Sequence, residues 1–307
     1  MAQSPFVEGT DVQWAWDSTS LGWFKECPYK YYLHMIEGWR YRGESVHLDF
    51  GIFYHQSLEA YDRAKAKGLP HEQCLHIAVR IAMEATWIDG KPWRLSKTLD
   101  LSDRNSVKCR ENLIRSVVWY LEKFQHDTAE LIIKNGMPAL EQHFLVDIGE
   151  RDGIPYALCG YLDKGVTFGG IAFTMDRKTT ATTLGDNYYG RFDPDNQMSL
   201  YTVVARIIRK EPIQGVIVDA CQVAVGFSRF GRSIVQKTSE QLEEWMTDLD
   251  YWLALARYYA HHKYWPRNDK SCFLCSFNKI CRKSPSVRRK FLESDYEHRP
   301  WNPLELR

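Results

Sequence analysis

The chain has 307 residues, 44% hydrophobic and 26% charged, the balance of a folded globular protein and not of a disordered or fibrous one. Forty Lys and Arg against 39 Asp and Glu leave a formal charge of +1, so a polyanionic partner has to be held by a local patch, not by the field of the whole protein. No run approaches the ~18 uninterrupted apolar residues of a membrane-spanning helix, and the first residues lack a basic segment leading into an apolar one. A cytoplasmic protein with no membrane partner is expected. Aromatic residues are abundant, with 11 Trp and 17 Tyr, which suits a large core as readily as base stacking.

In chain order, residues 18–36 read as a helix opened by Ser18, Thr19 or Ser20, with Pro28 kinking it or starting a second helical turn. Residues 49–66 place Phe53, Tyr54, Leu58 and Tyr61 at helical spacing and stop at Gly68 and Pro70. Two more helices are expected over 71–88 and 103–134, the second striped by Val107, Leu113, Ile114, Val117, Val118, Leu121 and Phe124. The period then changes. Segments 139–148, 154–168 and 171–180 are short and rich in branched and aromatic residues, as strands are. Residues 196–210 return to helix, 213–226 and 231–237 to strand, and a long helix over 239–263 is opened by a Thr238–Gln241 capping box. The pattern is α/β or α+β: a mixed central sheet flanked by helices, with a helical insertion over about 71–134 and a core over about 135–237. No repeat or linker divides residues 1–307 into several domains.

Of the eight cysteines, Cys74, Cys109, Cys159 and Cys221 lie singly in apolar or mixed segments and read as small core residues. Cys272-Phe-Leu-Cys275 followed by Cys281 sets three thiols within ten residues, in a segment with little periodicity. Loops of this kind wrap thiolates around a metal centre far more often than they form disulfides inside cells. Three thiolates leave a tetrahedral or cubane site one ligand short, and Cys27 is the remaining cysteine set in a local motif of its own. Four thiolates suit Zn²⁺ as well as an iron–sulfur cluster.

The stretch Cys159-Gly-Tyr-Leu-Asp163 through Asp176-Arg-Lys178 carries the most chemistry. Gly169-Gly170 is a two-residue hairpin signal, because both positions tolerate positive φ. With those glycines as the loop, Asp163 faces Asp176 and Tyr161 faces Lys178, while Arg177 points to the other face. Opposed like charges destabilise a strand pair, and a divalent cation with oxygen ligands offsets the repulsion. The plainer reading is a solvated hairpin face.

Asp163 and Asp176-Arg-Lys178 on consecutive strands resemble the PD-(D/E)xK nuclease superfamily. Gly51-Ile-Phe-Tyr-His55 looks like the helical histidine of its RecB-like branch, Glu141 sits where that branch has an acidic residue, and Gln197-Met-Ser-Leu-Tyr201 looks like its Gln-xxx-Tyr motif. The segment from Ser18 through Cys27-Pro-Tyr-Lys-Tyr-Tyr, with Cys272, Cys275 and Cys281, is similar to the cysteine pattern of iron–sulfur members, among them CRISPR-associated RecB-like exonucleases and the AddB nuclease domain. The resemblance runs from about residue 18 to 283. It implies a restriction-endonuclease-like core, one or two Mg²⁺ or Mn²⁺ ions on His55, Asp163 and Asp176, and Lys178 orienting or deprotonating a water. Glu141 assists, and Gln197 and Tyr201 position Lys178 or the DNA backbone. A 4Fe-4S cluster on Cys27, Cys272, Cys275 and Cys281, within segments 18–36 and 268–283, joins the chain ends, with Zn²⁺ as the alternative. The implied activity is DNA exonuclease on single strands or ends, in recombination, repair or CRISPR adaptation with protein partners of those processes. A catalytically silent DNA- or partner-binding module is the alternative. DNA contact is expected from Arg282, Lys283, Arg288, Arg289 and Lys290, from Arg229, Arg232 and Lys237, and from base stacking on Tyr188 and Tyr189.

Overall fold

Side-chain caps open some of the helices in the computed structural model, which describes residues 3–42, 46–93 and 107–305. After a short strand β1 (Ala15–Trp16), the cap of the first helix is Asp17 and not one of the serines that follow. Its side chain accepts the Ser20 N–H at 2.8 Å and Ser20 completes the capping box, fixing α1 as Ser18–Glu26. Cys27 is extended and ends this helix, and Pro28 starts α2 (Pro28–Tyr31), which passes into a π-helical turn over Tyr32–Ile36 and then β2 (Trp39–Tyr41). Next come α3 (Val46–Ala66), α4 (His71–Ala85), a hairpin of β3 (Trp87–Ile88) and β4 (Lys91–Pro92), and α5 (Arg110–Lys123). The helix expected over 103–134 therefore ends at Lys123; its first residues, 103–106, lie outside the described ones. The cause is Asp127, whose side chain accepts the Ala129 N–H at 2.9 Å and turns the chain into β5 (Ala129–Leu131).

A hairpin of β6 (Ile133–Lys134) and β7 (Met137–Pro138) precedes the long strands β8 (Leu140–Arg151), β9 (Ile154–Phe168) and β10 (Ile171–Thr180). The last two have the limits expected for segments rich in branched and aromatic residues. Then follow α6 (Asp186–Tyr189), α7 (Asn196–Arg209), β11 (Gly215–Val223), β12 (Ser228–Gln236) and α8 (Ser239–His262), the last opened by the Thr238–Gln241 box. The chain closes with α9 (Asn278–Cys281), α10 (Pro285–Asp295) and β13 (Tyr296–His298).

Seven strands form a mixed sheet in the order β1-β9-β10-β11-β12, with β5 and β8 also on β9. Gly169 and Gly170, at φ 58° and 78°, make the tight turn between β9 and β10, and the ladder runs from Ile171–Phe168 to Met175–Lys164. That is the register in which Asp163 opposes Asp176. Strand β11 pairs parallel to β10, and β12 antiparallel to β11.

The chain divides into two compact units. The first takes residues up to 44, 143–160 and from 238 onward. Its core is aromatic: Trp16 stacks on Tyr31 at 5.5 Å between ring centroids, and Phe24 and Trp265 meet Tyr31 at 5.4 and 5.0 Å. A second apolar cluster there joins Leu33 and Trp39 to Phe277, Ile280, Leu292 and Tyr296. The other unit takes 45–142 and 161–237. In it α3 buries Phe50, Tyr54, Leu58 and Tyr61 against α4, α5 and the β11 residues Cys221 and Val223, each such side chain contributing about 1.5–3 kcal/mol.

Gly215 starts β11 where a Cβ would run into the Val235 carbonyl oxygen, a backbone atom that cannot turn aside. Gly215→Ala is expected to cost about 1–3 kcal/mol, read as a lower Tm in a thermal melt. An unchanged Tm would mean that β12 moves aside freely.

Candidate active site and cysteine site

His55, in the middle of α3, has its ring fixed from one side. Its Nε2 lies 2.8 Å from the Arg177 carbonyl oxygen, which can only accept, so Nε2 carries the proton and Nδ1 the lone pair. Nδ1 faces Asp163 Oδ2 at 3.3 Å. Burial outweighs the pull of that carboxylate and lowers the imidazole below its usual range, which keeps it neutral at pH 7. A lone pair set against a carboxylate is repulsive unless a cation lies beside them. Glu141 adds a second carboxylate, and ligand atoms of His55, Glu141 and Asp163 all lie within 4.8 Å of one another. One imidazole nitrogen and two carboxylates suit Mn²⁺ as readily as Mg²⁺. Glu141 holds φ at +43°, a left-handed conformation that costs a non-glycine residue about 1–2 kcal/mol. Strain of that kind persists where the surrounding structure over-determines it, often at functional sites.

Asp176 and Lys178 share one face of β10, with Lys178 Nζ 2.7 Å from Asp176 Oδ2, while the intervening Arg177 side chain turns the other way. The Arg177 N–H donates to Asp163 Oδ2 at 3.1 Å, so the backbone of this one residue touches both His55 and Asp163. Asp176 stands next to the three-ligand group but outside it, and Glu141 stands inside. Burial pulls the Lys178 ammonium down, but Asp176 beside it more than restores it, so Lys178 stays charged. Lys178 donates to Gln197 Oε1 at 2.8 Å, and Gln197 Nε2 donates to the Tyr201 hydroxyl at 2.9 Å. The sequence motif is therefore a relay from Tyr201 to Lys178. Its aim is set by Asp195, which caps α7 by accepting the N–H groups of Gln197 at 2.8 Å and Met198 at 3.2 Å. Sequence reasoning passed over Asp195, although an Asp just before an apolar helical run is a cap signal.

The four cysteines of the second site line one cavity. Cys27 sits at the break between α1 and α2, Cys272 ends a 3₁₀ turn over Asp269–Ser271, and Cys281 ends α9. Asn268 holds the loop to the Cys27 segment: its N–H points at Cys27 Sγ at 3.3 Å and its side chain donates to the Glu26 carbonyl at 2.8 Å. Ser271 donates to the same carbonyl at 2.7 Å. Burial, then the neighbouring Cys275 and Cys27, push the Cys281 thiol up to about 11. Burial raises Cys275 as well. Crowded thiols that resist ionisation are what a cation must deprotonate when it binds.

Several expected DNA contacts are otherwise engaged. Arg232 pairs with Asp127 and Asp219 at 2.6 and 3.1 Å, and Lys237 is buried against Asp193. Tyr188 is buried with the Arg191 guanidinium 4.1 Å over its ring, so it offers no face to a base. Arg289, beside Glu293 and Glu37, and Arg229, over the Phe227 ring, stay exposed. Many of the large aromatics are buried in the core. No helix among the described residues is long and apolar enough to cross a membrane.

Burial pushes the Asp176 carboxyl up to about 7; Lys178 pulls it back and Asp163 pushes it further. The ion-free fold thus binds this proton more tightly than the unfolded chain does. The stabilisation is complete below the ordinary value of 3.8 and is lost as pH rises through about 7. Melts in EDTA should show Tm falling between about pH 4 and 7, and the fall should shrink in Asp176→Asn. Matching profiles for parent and variant would contradict this.

The sequence model of the PD-(D/E)XK nuclease superfamily matches residues 18–282. No curated protein matches the chain. Among solved structures, a protein of Eubacterium rectale described as a candidate exonuclease aligns with a TM-score of 0.46 at 13% identity, over 86% of this chain and 89% of its own. The crystal structure of SSO0001 aligns with a TM-score of 0.30 at 14% identity, over 56% of this chain and 70% of its own. The family match spans His55, Glu141, Asp163, Asp176, Lys178, Gln197, Tyr201 and the four cysteines. With its mixed sheet flanked by helices, a restriction-endonuclease-like fold, the chain belongs to the PD-(D/E)XK nuclease superfamily.

Proposed function

We propose that this protein is a metal-dependent DNA exonuclease acting on single strands or DNA ends, with a structural 4Fe-4S cluster on Cys27, Cys272, Cys275 and Cys281. The observation that carries the reading is the His55–Glu141–Asp163 group set beside the Asp176–Lys178 pair. Members of the superfamily use divalent metals, and the neutral imidazole and two carboxylates fit Mg²⁺ or Mn²⁺. An ion held there would supply polarisation of a phosphoryl oxygen and a water of lowered pKa.

The protein's own groups do the rest. Of the three N–H bonds of Lys178, one goes to Gln197 and one faces Asp176; the third is directed to the phosphate or the attacking water, where a positive charge meets developing negative charge. Tyr201, through Gln197, keeps the ammonium from swinging away. Asp176 keeps Lys178 charged and serves as a further ligand when the ion is present.

The likeness of the Cys27, Cys272, Cys275 and Cys281 pattern to that of iron–sulfur members supports iron–sulfur over zinc, and the four thiols line one cavity. The cluster would tie the two ends of the chain into one nuclease domain, and the activity would serve recombination, repair or CRISPR adaptation with partners from those processes.

Lys178→Ala is expected to lower the release of label from end-labelled single-stranded or duplex DNA in Mg²⁺ or Mn²⁺ by about 10²–10³-fold, with the melt unchanged. Label released equally by parent and variant would contradict the assignment. Cys281→Ser should lose iron and sulfide by colorimetric assay and lower the Tm. Zinc without sulfide in the parent would replace the cluster with the zinc alternative.

A further inference from the structure

A buried charge cluster lies behind the candidate site, on the opposite face of β10. Asp62 accepts from Lys164 Nζ at 2.9 Å through Oδ1 and from Arg177 Nη2 at 2.6 Å through Oδ2, and all three side chains are buried. Burial alone would raise the Asp62 carboxyl, but the two cations outweigh it and hold it ionised. An apolar trio of similar volume would pack there without the cost of desolvating charges, so stability by itself does not account for the cluster. Its placement does. Asp62 follows His55 by seven residues, two turns along the same face of α3. The helix therefore grips Arg177 twice: His55 donates to its carbonyl oxygen, and Asp62 holds its guanidinium. Lys164 ties the same carboxylate to β9 immediately after Asp163.

We propose that Asp62, with Lys164 and Arg177, is a positioning residue for the metal ligands. It locks the backbone at Arg177 so that the Arg177 carbonyl selects the Nε2–H tautomer of His55 and the Arg177 N–H holds Asp163, leaving His55 Nδ1 as the ligand atom. Second-sphere partners of this kind set ligand orientation and affinity. The inference rests on the metal-centre reading above and deepens it.

Two measurements test it, neither requiring DNA cleavage. Mn²⁺ binding is measured by titration calorimetry on the full chain, with folding checked by circular dichroism. Asp62→Asn, nearly isosteric, is expected to weaken Mn²⁺ binding about 10–100-fold while remaining folded. A folded variant with parental Mn²⁺ affinity would overturn the proposal. In the unsubstituted protein, labelled with ¹⁵N-histidine and loaded with ¹¹³Cd²⁺, the His55 signal (assigned by its loss in His55→Gln) should show metal coupling on Nδ1 and a proton on Nε2. Coupling on Nε2 would overturn the proposal even if Asp62→Asn failed to fold. Absence of any binding by the parent would sink the metal-centre reading, and this inference with it, whereas parental binding with an indifferent Asp62→Asn would sink this inference alone.

Discussion

The register of one β-hairpin is the constraint on which the site depends. Two glycines at positive φ close the turn between β9 and β10 with no residue to spare, and from that point each pairing is fixed. A slip of one residue would send Asp176 and Lys178 to the face now occupied by Arg177. Both faces are in use. One carries the carboxylates and the ammonium of the candidate site, and the other carries the buried ion pairs of Asp62, Lys164 and Arg177. The sheet thus places opposite chemistries back to back, and each is intelligible only in the observed register.

Burial then decides the electrostatics. His55 is neutral because desolvation outweighs the adjacent carboxylate, whereas Lys178 stays charged because Asp176 outweighs desolvation. A neutral imidazole lone pair, two nearby carboxylates and a charged lysine form a site with negative charge concentrated at one end and a positive group at the other. That polarity matches a cation and a phosphodiester arriving together. The strained backbone at Glu141 belongs to the same arrangement, since it brings the second carboxylate to His55 and Asp163.

Much of this was legible in the sequence because it is local. Strand limits at 154–168 and 171–180, the two-glycine turn, the Thr238–Gln241 box and the spacing of Cys272, Cys275 and Cys281 are short-range patterns with a physical cause, and they reappear in the structure. What escaped was long-range. The fate of Arg232 and Lys237 depends on Asp127, Asp219 and Asp193, which no periodicity connects to them, so basic side chains expected to meet DNA are occupied internally. The end of α5 escaped because the turn that Asp127 makes into β5 is not announced by glycine or proline. Glu141 was singled out by resemblance alone, because a left-handed residue at the start of a strand breaks the alternation from which its side-chain direction would be read.

The central claim is that His55, Glu141 and Asp163 hold a divalent cation next to Lys178. Anomalous diffraction from crystals soaked in MnCl₂ tests it most directly. The account predicts a manganese peak within bonding distance of His55 Nδ1 and of carboxylate oxygens of Glu141 and Asp163. A soaked crystal with no peak there, or with the His55 ring turned so that Nε2 meets the ion, would contradict it.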